Sequence, residues 1–219
     1  FHLGLYTHGG VTNGQPNSRQ LHFGIDQGRL EEQFTDHGRL GTAMYVMSLC
    51  VHDGELYAAT CHAGEKEAGH VFRYAGKDGW TDLGSPDKAN AISGMAVHDG
   101  ALHVASSKYR LGGSALTESQ NPNFGGKVFR LGEKDRWLPC GALSSETEGV
   151  GSLVVFRGKL YAGSLYKPAG FFRYEGGEKW TSCATPDGKR VEAFAVFNGA
   201  LFATSYDEGS VFRFDGENW

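Results

Sequence analysis

An all-β chain built from one repeating four-stranded antiparallel sheet is what three features of this 219-residue sequence predict. A short aromatic segment recurs four times, each copy followed by a tryptophan. Upstream of every copy, an apolar run meets a two-residue turn that ends in glycine. Glycine supplies 33 residues in all, about twice the usual share of roughly 7%. No Pro-rich or low-complexity tract accounts for that excess, which fits many tight turns between short strands.

The aromatic segment is VFRY at Val71–Tyr74, and it returns as VFRL at Val128–Leu131, FFRY at Phe171–Tyr174 and VFRF at Val211–Phe214. Trp80, Trp137, Trp180 and Trp219 follow these copies in order. The upstream landmark reads VHDGELYAAT, VHDGALHVAS, VFRGKLYAGS and VFNGALFATS. Its glycines, Gly54, Gly100, Gly158 and Gly199, stand 46, 58 and 41 residues apart. A period of about 40 to 46 residues is typical of a propeller blade. The long step marks an insertion, which the spacing assigns to residues 107–126.

The first strand of each copy is apolar and alternates in size. Leu49, Met95, Leu153 and Phe194 are each preceded by a small residue: Ser48, Gly94, Ser152 and Ala193. Large residues on one face and small ones on the other let neighbouring sheets interdigitate, and a near-continuous apolar run calls for cover on both faces. The turns Asp53-Gly54, Asp99-Gly100 and Asn198-Gly199 are pairs favoured where both residues need positive φ. Arg157-Gly158 is a poorer match. The second strand is LYAAT-like, the third VFRY-like, and the fourth starts at the tryptophan.

Sheets of this kind stack radially, so the predicted fold is a β-propeller. Residues 1–43 read as a more divergent copy, with QLHF (Gln20–Phe23) as third strand and FTDHG (Phe34–Gly38) laid on WTDLG (Trp80–Gly84). The expectation is one domain over 1–219 with five blades at about 1–43, 44–88, 89–147, 148–188 and 189–219, the first and last incomplete. A part of a larger ring or longer protein is the alternative.

The order of apolar strand, turn, second strand, aromatic third strand and Trp-led fourth strand resembles kelch-type propellers across essentially the whole chain. That resemblance implies ring geometry and a habit of binding partners, not a reaction. The sequence departs from it where kelch repeats carry a glycine pair. The four clear copies have Ala59-Thr60, Ala105-Ser106, Gly163-Ser164 and Thr204-Ser205 instead.

Composition narrows the partners. Lys plus Arg total 21 against 25 for Asp plus Glu, with a pI near 6.1. That gives no electrostatic reason to expect nucleic acid or an anionic membrane. No apolar run approaches a bilayer span, so a soluble chain without membrane insertion is expected. Cys50, Cys61, Cys140 and Cys183 are too few for a disulfide-dense scaffold. The chain starts at Phe1 without a signal peptide, which reads as a mature product or a cut piece. An extracellular setting is the expectation, although the compartment is not fixed by any motif.

The repeated arginines and tryptophans are expected to pack between sheets, because they recur at every blade. Function is expected on the face that carries the loops between strands two and three and between successive blades. All the obvious length variation lies there, and a rigid scaffold with one variable face is where binding sits. The expected function is non-catalytic recognition of a glycan or protein. Its candidate residues, expected to be exposed, are Tyr6, His8, His62, Tyr109, Arg110, Tyr166, Tyr206 and Asp207, with Arg190 at the start of a channel strand. Tyrosine offers a flat apolar body and a hydroxyl, which suits sugars and peptides alike.

The alternative is a glycan-processing propeller, a glycoside hydrolase or polysaccharide lyase, using Glu192, Glu148 or His62. Glu192 occupies the position held by Met47, Ser93 and Gly151 in other copies, and a carboxylate near the axis can serve as a general base. No cofactor or metal is expected. Cys61, His62 and His70 share one loop but lack a metal-ligand spacing. No phosphate-binding loop or G-x-S-x-G motif appears.

Overall fold

The computed structural model describes residues 36–111, 117–166, 168–205 and 209–219, with short strands at 11–12 and 15–16. Strands β1 (Val11–Thr12) and β2 (Gln15–Pro16) form an antiparallel pair. From residue 45 onward the chain folds into four successive antiparallel sheets.

The first comprises β3 (Tyr45–His52), β4 (Glu55–Cys61), β5 (Val71–Tyr74) and β6 (Trp80–Asp82), paired in chain order. The second comprises β7 (Ala91–His98), β8 (Ala101–Ser107), β9 (Lys127–Leu131) and β10 (Trp137–Ala142). The third comprises β11 (Val150–Phe156), β12 (Lys159–Ser164), β13 (Phe171–Gly176) and β14 (Lys179–Cys183). The last has three strands, β15 (Val191–Phe197), β16 (Ala200–Ser205) and β17 (Val211–Phe214), and reaches Trp219 where a fourth would begin. The insertion lies between β8 and β9, as the repeat spacing predicts.

These four sheets are blades of a β-propeller. Their first strands stack in sequence, β3 on β7, β7 on β11 and β11 on β15. Bridges Cys61↔Ala91 and Ser107↔Gly149 tie the end of a second strand to the start of the next blade. The size alternation works as expected: a Cβ added to Gly94 would stand 3.2 Å from Ser152 Cα and Leu153 N of the next blade.

All four first-to-second strand turns hold positive φ at both residues, from Asp53 (49°) and Gly54 (77°) to Asn198 (47°) and Gly199 (73°). Arg157 (50°) adopts the same conformation although it lacks the side chain that favours it. Its guanidinium reaches the Gly199 carbonyl at 3.4 Å and stands over the Phe156 ring.

Apolar side chains fill each space between blades. Tyr57 and Val71 meet Met95, Leu102 and Phe129; Val128 and Cys140 meet Leu153, Leu160 and Phe172; Tyr161 and Phe171 meet Val191, Leu201 and Phe214. The tryptophans do pack here, and each indole N–H also donates to a carbonyl of the preceding copy. Trp137 reaches Leu83 O at 2.9 Å, Trp180 reaches Cys140 O at 2.7 Å and Trp219 reaches Ala184 O at 2.7 Å. Trp80 repeats the contact at His37 O, 3.0 Å away. Two of the repeated arginines meet carboxylates as expected, Arg73 at Asp135 and Arg173 at Glu175. The cysteines are free thiols.

His37 and Gly38 lie outside any strand, as do Leu83 and Gly84 of the laid-on WTDLG segment, and His37 supplies the carbonyl that the repeat requires. One expectation changes: the first strands are not covered on both faces at the two ends of the arc. Leu49 and Val51 of β3, and Val196 and Phe197 of β15, are more than half exposed, because among the described residues each lies on a terminal blade. The expected first blade falls mostly outside the described residues. Among the described residues, no helix is long and apolar enough to cross a membrane.

Candidate functional site: the channel mouth and an adjoining cleft

The four equivalent positions that the repeat aligns converge on the axis. Met47, Ser93, Gly151 and Glu192, one from each blade, line a channel cavity of about 280 Å3. Three are neutral, so Glu192 brings the one carboxylate into this layer. Arg190, two residues earlier on the same strand approach, holds its Nε 4.0 Å from Glu192 Oε2.

Above that layer, loops from three blades meet. The Arg110 guanidinium, from the insertion, stands 5.1 Å over the Tyr166 ring, and that of Arg190 stands 5.7 Å from the same ring. The Arg110 backbone N–H donates to the Tyr166 hydroxyl at 2.9 Å. Its Nη2 donates to Glu148 Oε2 at 2.6 Å, and this bond pushes the Arg110 pKa upward. Burial pushes the Tyr166 phenol upward, keeping it neutral. Asn90 fixes the start of the insertion: its amide donates to Tyr109 O at 2.8 Å and its Oδ1 accepts the Tyr109 N–H at 2.7 Å.

The structure therefore brings Arg110, Glu148, Tyr166, Arg190 and Glu192 into one cluster. It changes the exposure expected of the tyrosines. Tyr109 is half-buried against Cys61, Ala91 and Leu111. Tyr166 is half-buried, with two guanidiniums held near its ring by cation–aromatic attraction. Tyr6, His8, Tyr206 and Asp207 lie outside the described residues.

His62 stands apart from this cluster and is buried rather than exposed. Its Nε2 lies 3.0 Å from Thr60 Oγ1 and its Nδ1 lies 3.2 Å from Thr42 Oγ1. Both ring nitrogens are engaged, and burial lowers its pKa so that the ring is neutral. It lines a second space, a cleft of about 910 Å3 between the loop 61–70, the loop before β7 and the insertion. The insertion is clamped there by Asn121, whose amide donates to Glu67 O at 2.6 Å and Lys88 O at 3.0 Å.

In that cleft stands a pair that sequence reasoning missed. His70 Nδ1 lies 2.8 and 2.9 Å from the two carboxylate oxygens of Asp82. A signal for it exists in the repeat. The residue before each VFRY-like strand is His70, Lys127, Gly170 or Ser210, and the second after each tryptophan is Asp82, Pro139 or Ser182. His70 and Asp82 are peculiar to one blade at both positions.

No family model matches the sequence, and no curated protein matches it. Solved structures do match in fold. A structural-genomics protein described as a candidate gluconolactonase aligns over 77% of this chain and 60% of its own, with TM-score 0.53 and 18% identity. A catalytically inactive virginiamycin B lyase from Staphylococcus aureus, with quinupristin, aligns over 77% of this chain and 55% of its own, with TM-score 0.56 and 14% identity. A streptogramin B lyase aligns over 78% and 54%, with TM-score 0.54 and 15% identity. The chain thus spans little more than half the length of these structures. At such identity the likeness defines the class, a propeller-type fold, and does not select the kelch group within it.

Proposed function

We propose that this chain is a ligand-binding propeller that recognises a carbohydrate at the channel mouth of its loop-rich face. The convergence of Arg110, Glu148, Tyr166, Arg190 and Glu192 from three blades carries the reading. Arg110 beside Glu148 and Arg190 beside Glu192 set planar donors next to planar acceptors, an arrangement that suits the paired hydroxyls of a sugar ring, which both give and accept hydrogen bonds. Their formal charges cancel, which favours a neutral polyhydroxy ligand over a polyanion. Tyr166 acts by holding the two guanidiniums, which stand 5.1 and 5.7 Å from its ring centroid, and not by stacking on sugar.

A glycan array probed with the full chain tests this. Binding should appear for a restricted set of neutral glycans and fall at least about tenfold in Arg190→Gln and Glu192→Gln, each of which removes charged hydrogen bonds. Unchanged binding in both variants would discard the channel mouth as the site. Capture of a protein partner with no glycan bound would favour the kelch-like habit of protein recognition.

The second reading, a propeller enzyme acting on glycans, rests on Glu192 being the sole carboxylate among the four axial positions. In that case Glu192→Gln would retain ligand and lose turnover. The lactonase and lyase names of the matched structures belong to those proteins, and support for this reading comes from Glu192 alone.

A further inference from the structure

The cleft beside the insertion holds a proton-accepting pair that carbohydrate binding at the channel mouth leaves unused. His70 stands one residue before β5 and Asp82 closes β6. The pairing of Phe72 with Asp82 brings both side chains to one edge of the blade. A carboxylate on Nδ1 keeps the proton of a neutral imidazole there and leaves Nε2 as the basic nitrogen.

The imidazole is fixed from several sides. Thr60 Oγ1 accepts the His70 backbone N–H at 3.0 Å, while the Thr60 N–H donates to the His70 carbonyl at 3.0 Å. The ring stacks on Phe72, centroids 6.1 Å apart and planes 26° apart. Asp82 Oδ1 is itself held by the Gly84 N–H at 2.8 Å. The His70 side chain remains 32% exposed and lines the cleft, whose volume suits a small organic ligand.

The neighbouring groups define what such a base would activate. The Cys61 thiol is buried and its pKa is pushed up to about 12, so it is no nucleophile at neutral pH. Thr42 Oγ1 is committed, donating to Glu67 at 2.7 Å and meeting His62 at 3.2 Å. Ser85 also lines the cleft, its Oγ accepting the Lys88 N–H at 3.1 Å, and the site is assigned water as its nucleophile. Lys88 lines the same cleft, and the amides of Asn121 and Asn123 hold its carbonyl at 3.0 and 3.1 Å. Its ammonium can offset charge that develops on a carbonyl oxygen.

We propose that the cleft is a second, hydrolytic site in which His70 is the general base and the substrate is a small ester. Nε2 takes one proton from water as the water oxygen bonds to the acyl carbon. The ester C–O bond then breaks, and the imidazolium returns that proton to the departing alkoxide. A carboxylic acid and an alcohol leave, and the protein is unchanged. Asp82 touches the imidazole and not the substrate, so it is a positioning residue. This site stands independently of the channel mouth, and either assignment can fail alone.

The test is hydrolysis of p-nitrophenyl acetate by the full chain, compared with free imidazole at equal imidazole concentration. The chain should exceed imidazole by about a hundredfold or more, as expected of a positioned base. His70→Gln should fall to the imidazole level. Asp82→Asn should lower kcat about tenfold or more with KM little changed, because the imidazole loses the carboxylate that orients it. Urea midpoints check folding of both variants. If His70→Gln does not fold, Asp82→Asn decides, since its carboxylate is 46% exposed. A native rate no faster than free imidazole overturns the proposal, as does native-rate hydrolysis by either folded variant.

Discussion

The indole N–H of Trp137 donates to the Leu83 carbonyl at 2.9 Å, joining one blade's fourth strand to the blade before it. Leu83 lies three residues after Trp80, and Cys140, which receives the Trp180 indole, lies three after Trp137. The repeat therefore encodes a staple between blades as well as the blades themselves. Trp137→Phe keeps an aromatic ring and removes the donor, leaving a partly covered carbonyl without its partner. The expected cost is about 1–3 kcal/mol, read as a lower urea midpoint with an unchanged slope. A midpoint equal to the native one would mean that ring packing alone holds the joint.

The fold was legible because its determinants are local and repeated. VFRY-like strands, Asp-Gly and Asn-Gly turns and the following tryptophans each state a short-range rule, and four copies make accidental agreement implausible. Arg157 shows where a local rule is overridden: the hairpin imposes a φ of 50° and two contacts of the guanidinium offset the poor residue choice.

The site was legible in part. Counting along the repeat identified Glu192 as the odd residue in its layer and assigned Arg110, Tyr166 and Arg190 to the same rim. It did not reveal that Tyr109 and Tyr166 turn inward, since their partners come from other blades. His70 and Asp82 were missed because their meeting depends on the register of β5 with β6.

Gly94 tests the close approach of the first strands. An added Cβ would stand 3.2 Å from backbone atoms of Ser152 and Leu153, which cannot swing aside as a side chain would. Gly94→Ala is expected to destabilise the protein by about 1–3 kcal/mol, the usual range for overpacking. Gly54→Ala is the contrasting control: nothing lies within 4 Å of its added Cβ, and its cost comes from a φ of 77° alone. Chemical denaturation of both variants separates packing strain from backbone strain. An uncompromised Gly94→Ala would contradict the packing of β7 on β11.

Asn121 tests the docking of the insertion. Its buried amide donates to the carbonyls of Glu67 and Lys88, which lie on two different loops. Asn121→Ala removes both donors and should cost about 1–3 kcal/mol locally. The expected readout is faster limited proteolysis within residues 107–126, while the cleavage pattern elsewhere stays native. Equal proteolysis of native and variant chains would show that the insertion is held by other contacts.

Two buried histidines set the response to acid. His62 and His103 both have pKa values lowered from 6.5, chiefly by burial; near His103 the His98 imidazole and Arg130 also oppose a second positive charge. Each folded value thus lies below the unfolded one, and on acidification the unfolded chain takes up the proton first. Stability from this source is complete above about pH 6.5 and is lost as pH falls through the folded values, with a slope of at most about 1.4 kcal/mol per pH unit for each histidine. His103→Gln removes one of the two. Its stability will be lower at pH 8, where packing and the 3.1 Å contact with Ala101 O are lost, but its decline between about pH 6.5 and pH 5 will be shallower than the native one. Urea midpoints across that range measure both slopes, and parallel curves would refute the burial of a neutral imidazole at His103.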